Sequence, residues 1–388
     1  MINKRTLIQF LLLTAILLLS QFAAWADSEH HHDGNILAAD KVRGDFSIMV
    51  LGSGGPIATQ QARASAGYLI FIDGKPRILM DAGGGTFQRL AASGVDVDIK
   101  DLDIILLSHL HIDHMGDLSP IIKNIYFQNR VYNLAHPGTF PPGRTAPFKI
   151  YGPKTNGIPF PKAVLKKAKP NVPQYPSVTD FADSHYDLDT GSDRYLHIFT
   201  RAISAGIFGY EANDITADWT SDATTEITAT DTGIDGLVIK AIGVNHGPVP
   251  ALAYRIEYKG KSIVFSGDTS SRSTLPPPDS TPLANGGNMV QISSNADLLI
   301  YDTAIMDDAP DGPNDAVFFA LHTTPSRMGE VAAAANAKNL LLSHLTKVTQ
   351  DRIPEIKTLI RNQGYRGDID AAEDLQVINL LDKHHDHH

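Results

Sequence analysis

Ser108-His109-Leu110-His111-Ile112-Asp113-His114 places three imidazoles and one carboxylate within six positions, directly after the apolar run 104–107. Four such side chains cannot all face one apolar core, because unpaired His and Asp are costly to desolvate. A turn at a strand end can instead converge them on a divalent metal ion. Further carriers stand at similar places: His246 after the run 237–244, Asp268 in Ser266-Gly267-Asp268-Thr269 after 262–265, and His344 after 340–342. Singly, each reads as an ordinary satisfied polar residue. Together with the cluster they read as additional ligands. The chain has no Cys, so thiolate ligands, disulfides and thiol nucleophiles are excluded, and metal chemistry must rest on His, Asp and Glu.

The elements that would carry these residues are legible as alternations of apolar run and turn. Residues 46–51, 68–72 and 77–80 read as strands, the last two joined across Asp73-Gly74. Gly52-Ser53-Gly54-Gly55-Pro56 and Gly83-Gly84-Gly85 read as tight turns at strand ends, since no Gly-Lys-Ser/Thr or full dinucleotide fingerprint accompanies them. A helical stretch follows at 87–92. Ten of the 23 prolines fall between His136 and Ser177, and 213–235 is rich in Asp and Thr. Residues 127–236 therefore read as an insertion, more loop than regular element. Strands return at 237–244, 252–258, 262–266 and 298–301. Thr324-Pro325 starts a helix running to about Ala337, followed by a strand at 340–342, a helix near 354–362 and a strand near 375–380. Two stretches of strands, each followed by helices, predict an α/β protein with two sheets packed between helical layers.

The chain ends read as addresses and tails. Lys4 and Arg5 precede the apolar run 7–19, and Ala24-Trp25-Ala26 gives a small-x-small cleavage pattern, as in a secretory signal peptide cut after Ala26. The expected location is therefore periplasmic or secreted. No later run is long enough to span a bilayer, so no stable membrane insertion is expected after cleavage. Residues 27–44, with His30, His31 and His32, read as a flexible tail, 45–382 as the folded domain, and 383–388 as a His-rich tail; such tails either capture metal or are simply solvated. The formal charge of −10 becomes −12 on losing Lys4 and Arg5. This charge opposes counterion-driven affinity for nucleic-acid polymers and favours a small-molecule substrate.

His109, His111, Asp113 and His114 match the His-x-His-x-Asp-His motif, and the chain resembles the metallo-β-lactamase superfamily over about 46–382, apart from the 127–236 insertion. Within it, His246 ahead of Tyr254-Arg255-Ile256, Gly267-Asp268-Thr269, His322-Thr323 and Ser343-His344 resemble the branch of ribonuclease Z and bacterial metal-dependent arylsulfatases. The resemblance implies a four-layer αβ/βα sandwich with a two-zinc site on its rim. His109, His111 and His246 would hold one ion, Asp113, His114 and His344 the other, and Asp268 would bridge them. Paired cations lower the pKa of a shared water towards 7 and supply a bridging hydroxide as nucleophile; Asp113 would orient it as a base. Manganese or iron suits the same donors. His322 completes no metal shell, and the resemblance implies that it protonates the leaving oxygen. Asp302 stands where the branch tends to have Glu and would orient His322. Asp81 would either support ligands or cap the Gly83–Gly85 turn. His136, His185 and His197 match no motif.

Ribonuclease Z action is disfavoured at this level by the leader, the charge and the 22 positions between His246 and Asp268, which leave no room for a protruding transfer-RNA arm. The resulting expectation is an exported dinuclear-metal hydrolase of small phosphodiester or sulfate esters. The alternatives are a β-lactamase- or lactonase-type hydrolase and a non-catalytic periplasmic zinc-binding protein.

Overall fold

In the computed structural model, which describes residues 36–95, 98–135, 146–160, 173–198, 208–270, 287–308 and 313–381, the apolar runs become strands buried on both faces. One sheet contains β1 (Phe46–Gly52), β2 (Gly67–Ile72), β3 (Lys75–Ala82), β4 (Ile104–Leu106), β5 (Phe148–Pro153) and β6 (Tyr210–Ile215). The other contains β7 (Thr224–Ile227), β8 (Val238–His246), β9 (Val249–Tyr258), β10 (Lys261–Phe265), β11 (Leu298–Asp302), β12 (Asn339–Ser343) and β13 (Asp368–Ala371). The last strand, β14 (Val377–Leu381), returns to the first sheet. The strand orders are β14-β1-β2-β3-β4-β5-β6 and β13-β12-β11-β10-β9-β8-β7.

Successive strand residues point to opposite faces, which divides each run between two cores. Ile104 and Leu106 of β4, Ile48 and Val50 of β1, and Ile300 and Leu341 of the second sheet meet between the sheets. Ile105, Leu107, Met49 and Leu51 turn outward against α1 (Thr86–Ala92), α3 (Leu118–Ala135) and α4 (Val178–Tyr186); α2 (Ile112–Met115) precedes α3. Leu299, Tyr301, Leu340 and Leu342 turn the other way, against α6 (Asn288–Ser293), α8 (Pro325–Ala334) and α9 (Ile353–Asn362). The remaining described helices are α5 (Ala229–Thr232) and α7 (Pro313–Leu321). Helix, sheet, sheet, helix is the expected four-layer α/β sandwich.

Strands β3 to β6 are mutually parallel, as are β10 to β13. Their carboxyl ends fall where open α/β sheets bind ligands. β4 runs into His109–His114, β10 into Asp268, β11 ends at Asp302, and His344 follows β12; β8, antiparallel to its neighbours, ends at His246.

Two expectations change here. Residues 127–236 are not mainly loop among the described residues: β5 and β6 complete the parallel half of the first sheet, β7 edges the second, and α4 covers the outer core. Proline density misled because β5 is specified by its non-local parallel pairing with β4 rather than by its flanks. In the tail expected over 27–44, Ala38 is buried and the Ala39 amide donates to the Ser93 carbonyl at 2.9 Å, so this part is anchored. The expected leader, His30–His32, His136 and His384–His388 lie outside the described residues. No described helix is long and apolar enough to cross a membrane.

Candidate metal centre

Three overlapping groups of ligand atoms share one carboxylate, and two of them meet across it. In the first, His109 Nε2 lies 2.9 Å from His111 Nδ1, and His246 Nε2 lies 3.2 Å from the same atom. Asp268 Oδ2 faces this group at 3.8 Å from His109 Nε2 and 3.7 Å from His246 Nε2. In the second, His114 Nε2 and His344 Nε2 are 3.3 Å apart, Asp113 Oδ2 lies 3.5 and 3.3 Å from them, and Asp268 Oδ1 is 3.3 Å from each. The two oxygens of Asp268 thus face different groups. A tetrahedral ion with bonds near 2.0–2.1 Å needs ligand atoms about 3.3 Å apart, so both sets fit divalent metal. Sequence positions from 109 to 344 are brought to one point.

The supporting bonds fix which ring nitrogen is free. Asp81 accepts the Ser108 amide and hydroxyl, each at 2.8 Å, and the His114 Nδ1 proton at 2.8 Å. His109 Nδ1 donates to Ser108 Oγ at 3.1 Å, and His246 Nδ1 donates to the Leu321 carbonyl at 2.9 Å. Each bond leaves an Nε2 lone pair for an ion, the usual outer support of metal-binding His. Asp81 therefore supports ligands, whereas the Gly85 and Phe87 amides at the start of α1 are capped by Asp117. Ser108 and the Leu321 carbonyl were not anticipated; the only sequence signal for Ser108 is its place between the strand and His109. Asp81 and His344 both have left-handed backbones, with φ of 55° and 57°, a conformation costing roughly 1–2 kcal/mol outside glycine. Such strain persists where the surroundings over-determine it.

The halves differ in charge state. Burial, reinforced by the neighbouring imidazoles, holds His109 well below the usual histidine value and His246 at about 4; burial likewise lowers His111. Burial also disfavours charge on His114 and His344, but carboxylates outweigh it. Asp268, Asp81 and Asp113 raise His114 well above the usual value, and Asp268, Asp113 and Asp302 raise His344 to about 10. Despite burial, Asp268 and Asp113 are held below the carboxylate range, by His344 and His114.

His322 and Asp302 form a third group with Asp268 and His344 that could also hold a metal ion, so His322, contrary to expectation, is not outside every possible shell. Its Nδ1 is 2.6 Å from Asp302 Oδ2, while Asp302 Oδ1 lies 3.2 Å from His344 Nδ1, in ion-pair range but out of line for a hydrogen bond. Burial opposes protonation of His322, yet the Asp302 carboxylate outweighs it and raises the ring's pKa. One aspartate therefore serves both His322 and a candidate ligand. Elsewhere His185 Nδ1 bonds the Phe181 carbonyl and His197 Nε2 that of Tyr186, as ordinary polar side chains do.

Residues 62–306 match the family model described as metallo-beta-lactamase superfamily. The chain is 24% identical over 338 residues to ribonuclease Z of Mycolicibacterium paratuberculosis, covering 86% of this chain and 98% of that protein. It is also 24% identical over 333 residues to ribonuclease Z of Haloferax volcanii, covering 85% and 93%. Among solved structures, the short form of human tRNase Z superposes with a TM-score of 0.53 at 19% identity, over 86% of this chain and 99% of that one. These relatives overturn one expectation, that the partner is a small-molecule ester and nucleic acid is disfavoured: proteins similar along most of the chain are named for action on RNA. Formal net charge misled because binding responds to the local field, and divalent ions dominate the field at such a site.

Proposed function

The chain belongs to the metallo-beta-lactamase superfamily, and from that premise we propose that this metal-dependent hydrolase cleaves phosphodiester bonds of RNA at a two-zinc centre. His109, His111 and His246 would hold one ion and Asp113, His114 and His344 the other, with Asp268 available to both. Two bound ions supply Lewis acidity towards a phosphoryl oxygen and a nucleophile from water at neutral pH. Manganese or iron would suit the same nitrogen and oxygen donors.

The observation that carries a catalytic reading is the His322–Asp302 pair. Asp302 accepts the Nδ1 proton, fixing the ring and leaving Nε2 to face substrate. The Asp302 carboxylate raises the pKa of His322 and so favours the protonated ring, the form able to give its proton to the leaving oxygen. Asp113 is the residue proposed to orient the attacking water. The leader expected over residues 1–26 supports export of the hydrolase.

The test uses a 3′-extended RNA, bis-p-nitrophenyl phosphate and p-nitrophenyl sulfate with the zinc- or manganese-loaded protein. The expected result is cleavage of the phosphodiesters and not the sulfate, with His322→Ala losing about 10²- to 10⁴-fold in rate while retaining metal. Turnover of the sulfate alone, or of no phosphodiester, overturns the proposal.

A further inference from the structure

The Gly52–Pro56 segment has no part in the chemistry above, yet it touches the centre. Gly55 lies against the His344 ring: a Cβ placed there would stand 3.1 Å from His344 Cε1 and Nδ1. The backbone after His344 is held by the same segment, because the Leu345 amide donates to the Ser53 carbonyl at 2.8 Å and the Gly55 amide donates to the Leu345 carbonyl at 3.0 Å. On the other side of His344, Ser343 pairs with Asp302 in β12 and β11. The left-handed His344 is therefore gripped between a strand and a loop.

That loop is itself tied down from the far end of the chain. Asp374 Oδ1 accepts the Ser53 amide at 3.0 Å and the Ser53 hydroxyl at 2.7 Å. Asp374 Oδ2 accepts the Ala64 amide and Arg89 Nε, each at 2.8 Å. Arg63 donates to Ser53 Oγ and the Ala372 carbonyl, each at 2.7 Å, and pairs with Glu373 at 2.9 Å. One carboxylate thus closes both ends of the 53–64 loop. Charge-assisted bonds of this kind are the strong ones.

We propose that Asp374 is a positioning residue for His344, acting through Ser53 and Leu345, so that the turn between β13 and β14 controls the affinity of one ion of the pair and not the other. The proposal rests on the two-ion reading. His344 is grouped with Asp113 and His114, and also with Asp302 and His322, but not with His109, His111 and His246; of those three, His109 is held through Ser108 and His246 through Leu321.

Cobalt(II) titration of the metal-free full chain, followed by visible absorption and chelator competition, tests it. The wild type should take two ions. Asp374→Asn and the milder Ser53→Ala should bind the first as wild type does and the second about tenfold more weakly or worse, within the range for outer support of a ligand, with unchanged far-UV circular dichroism. If Asp374→Asn does not fold, Ser53→Ala decides. Wild-type affinity for the second ion in a folded variant overturns the proposal, as does equal weakening of both ions, which marks general destabilisation. A wild type that takes fewer than two ions sinks the two-ion reading itself, and the clamp with it.

Discussion

Asp268 presents one oxygen to each half of the centre, and the halves differ in where their protons sit. His109 and His246 are held neutral by burial, so an ion among them displaces no proton at pH 7. His114 and His344 are raised by the carboxylates around them, His344 to about 10, so the metal-free second group favours a protonated ring where the first does not. Metal ligation requires neutral imidazole and therefore releases protons. Filling the second group at pH 7 should release the His344 proton, and its affinity should rise with pH up to the folded His344 value. Calorimetric titration in two buffers of different protonation enthalpy measures this release. Equal apparent enthalpies in both buffers would contradict the assignment. At this scale the sequence was informative where residues are neighbours: His109 to His114 are forced together by one turn. It was ambiguous for Asp81, because choosing between turn cap and ligand support requires knowing that β3 and β4 pair in parallel and bring Ser108 beside it. The reach of Asp302 to both His322 and His344 depends on three separate segments and has no local signal.

The elements deliver these side chains through tight crossings of backbone. Gly83, just after β3, has no room for a side chain: a Cβ would lie 1.9 Å from the Asp113 carbonyl oxygen and 2.7 Å from Ser65 Cβ. Backbone cannot swing aside as a flexible side chain can. Gly83→Ala should therefore displace the α2 turn, costing roughly 1–3 kcal/mol of stability and weakening metal binding through Asp113 and His114. Urea unfolding with parallel metal analysis checks this, and unchanged values for both would refute the crossing as described. Strands such as β4 and β12 were legible because burial on both faces makes them continuous apolar runs. β13 was not, since only Ile369 of its four residues is buried. α3 places Leu118, Ile121, Ile122 and Ile125 on one face at helical spacing, a pattern obscured by the metal motif directly ahead of it. β5 and β6 carry little local signal because their partners lie far away in sequence.

For the whole molecule, the four layers follow from hydrophobic periodicity, but the substrate class does not follow from the summed charge. A formal −10 spread over 388 residues says little about a rim where a pair of divalent ions would sit. The similarity to ribonuclease Z along 86% of the chain is what supports the proposal of an RNA substrate. The central claim is that one carboxylate separates two ions. The most direct measurement is an anomalous-scattering map from crystals of the metal-loaded protein, recorded at the absorption edge of the bound metal. Two peaks, one on each side of Asp268, are predicted, the first among His109, His111 and His246 and the second among Asp113, His114 and His344. A single peak, or ions bound away from Asp268, would contradict the account.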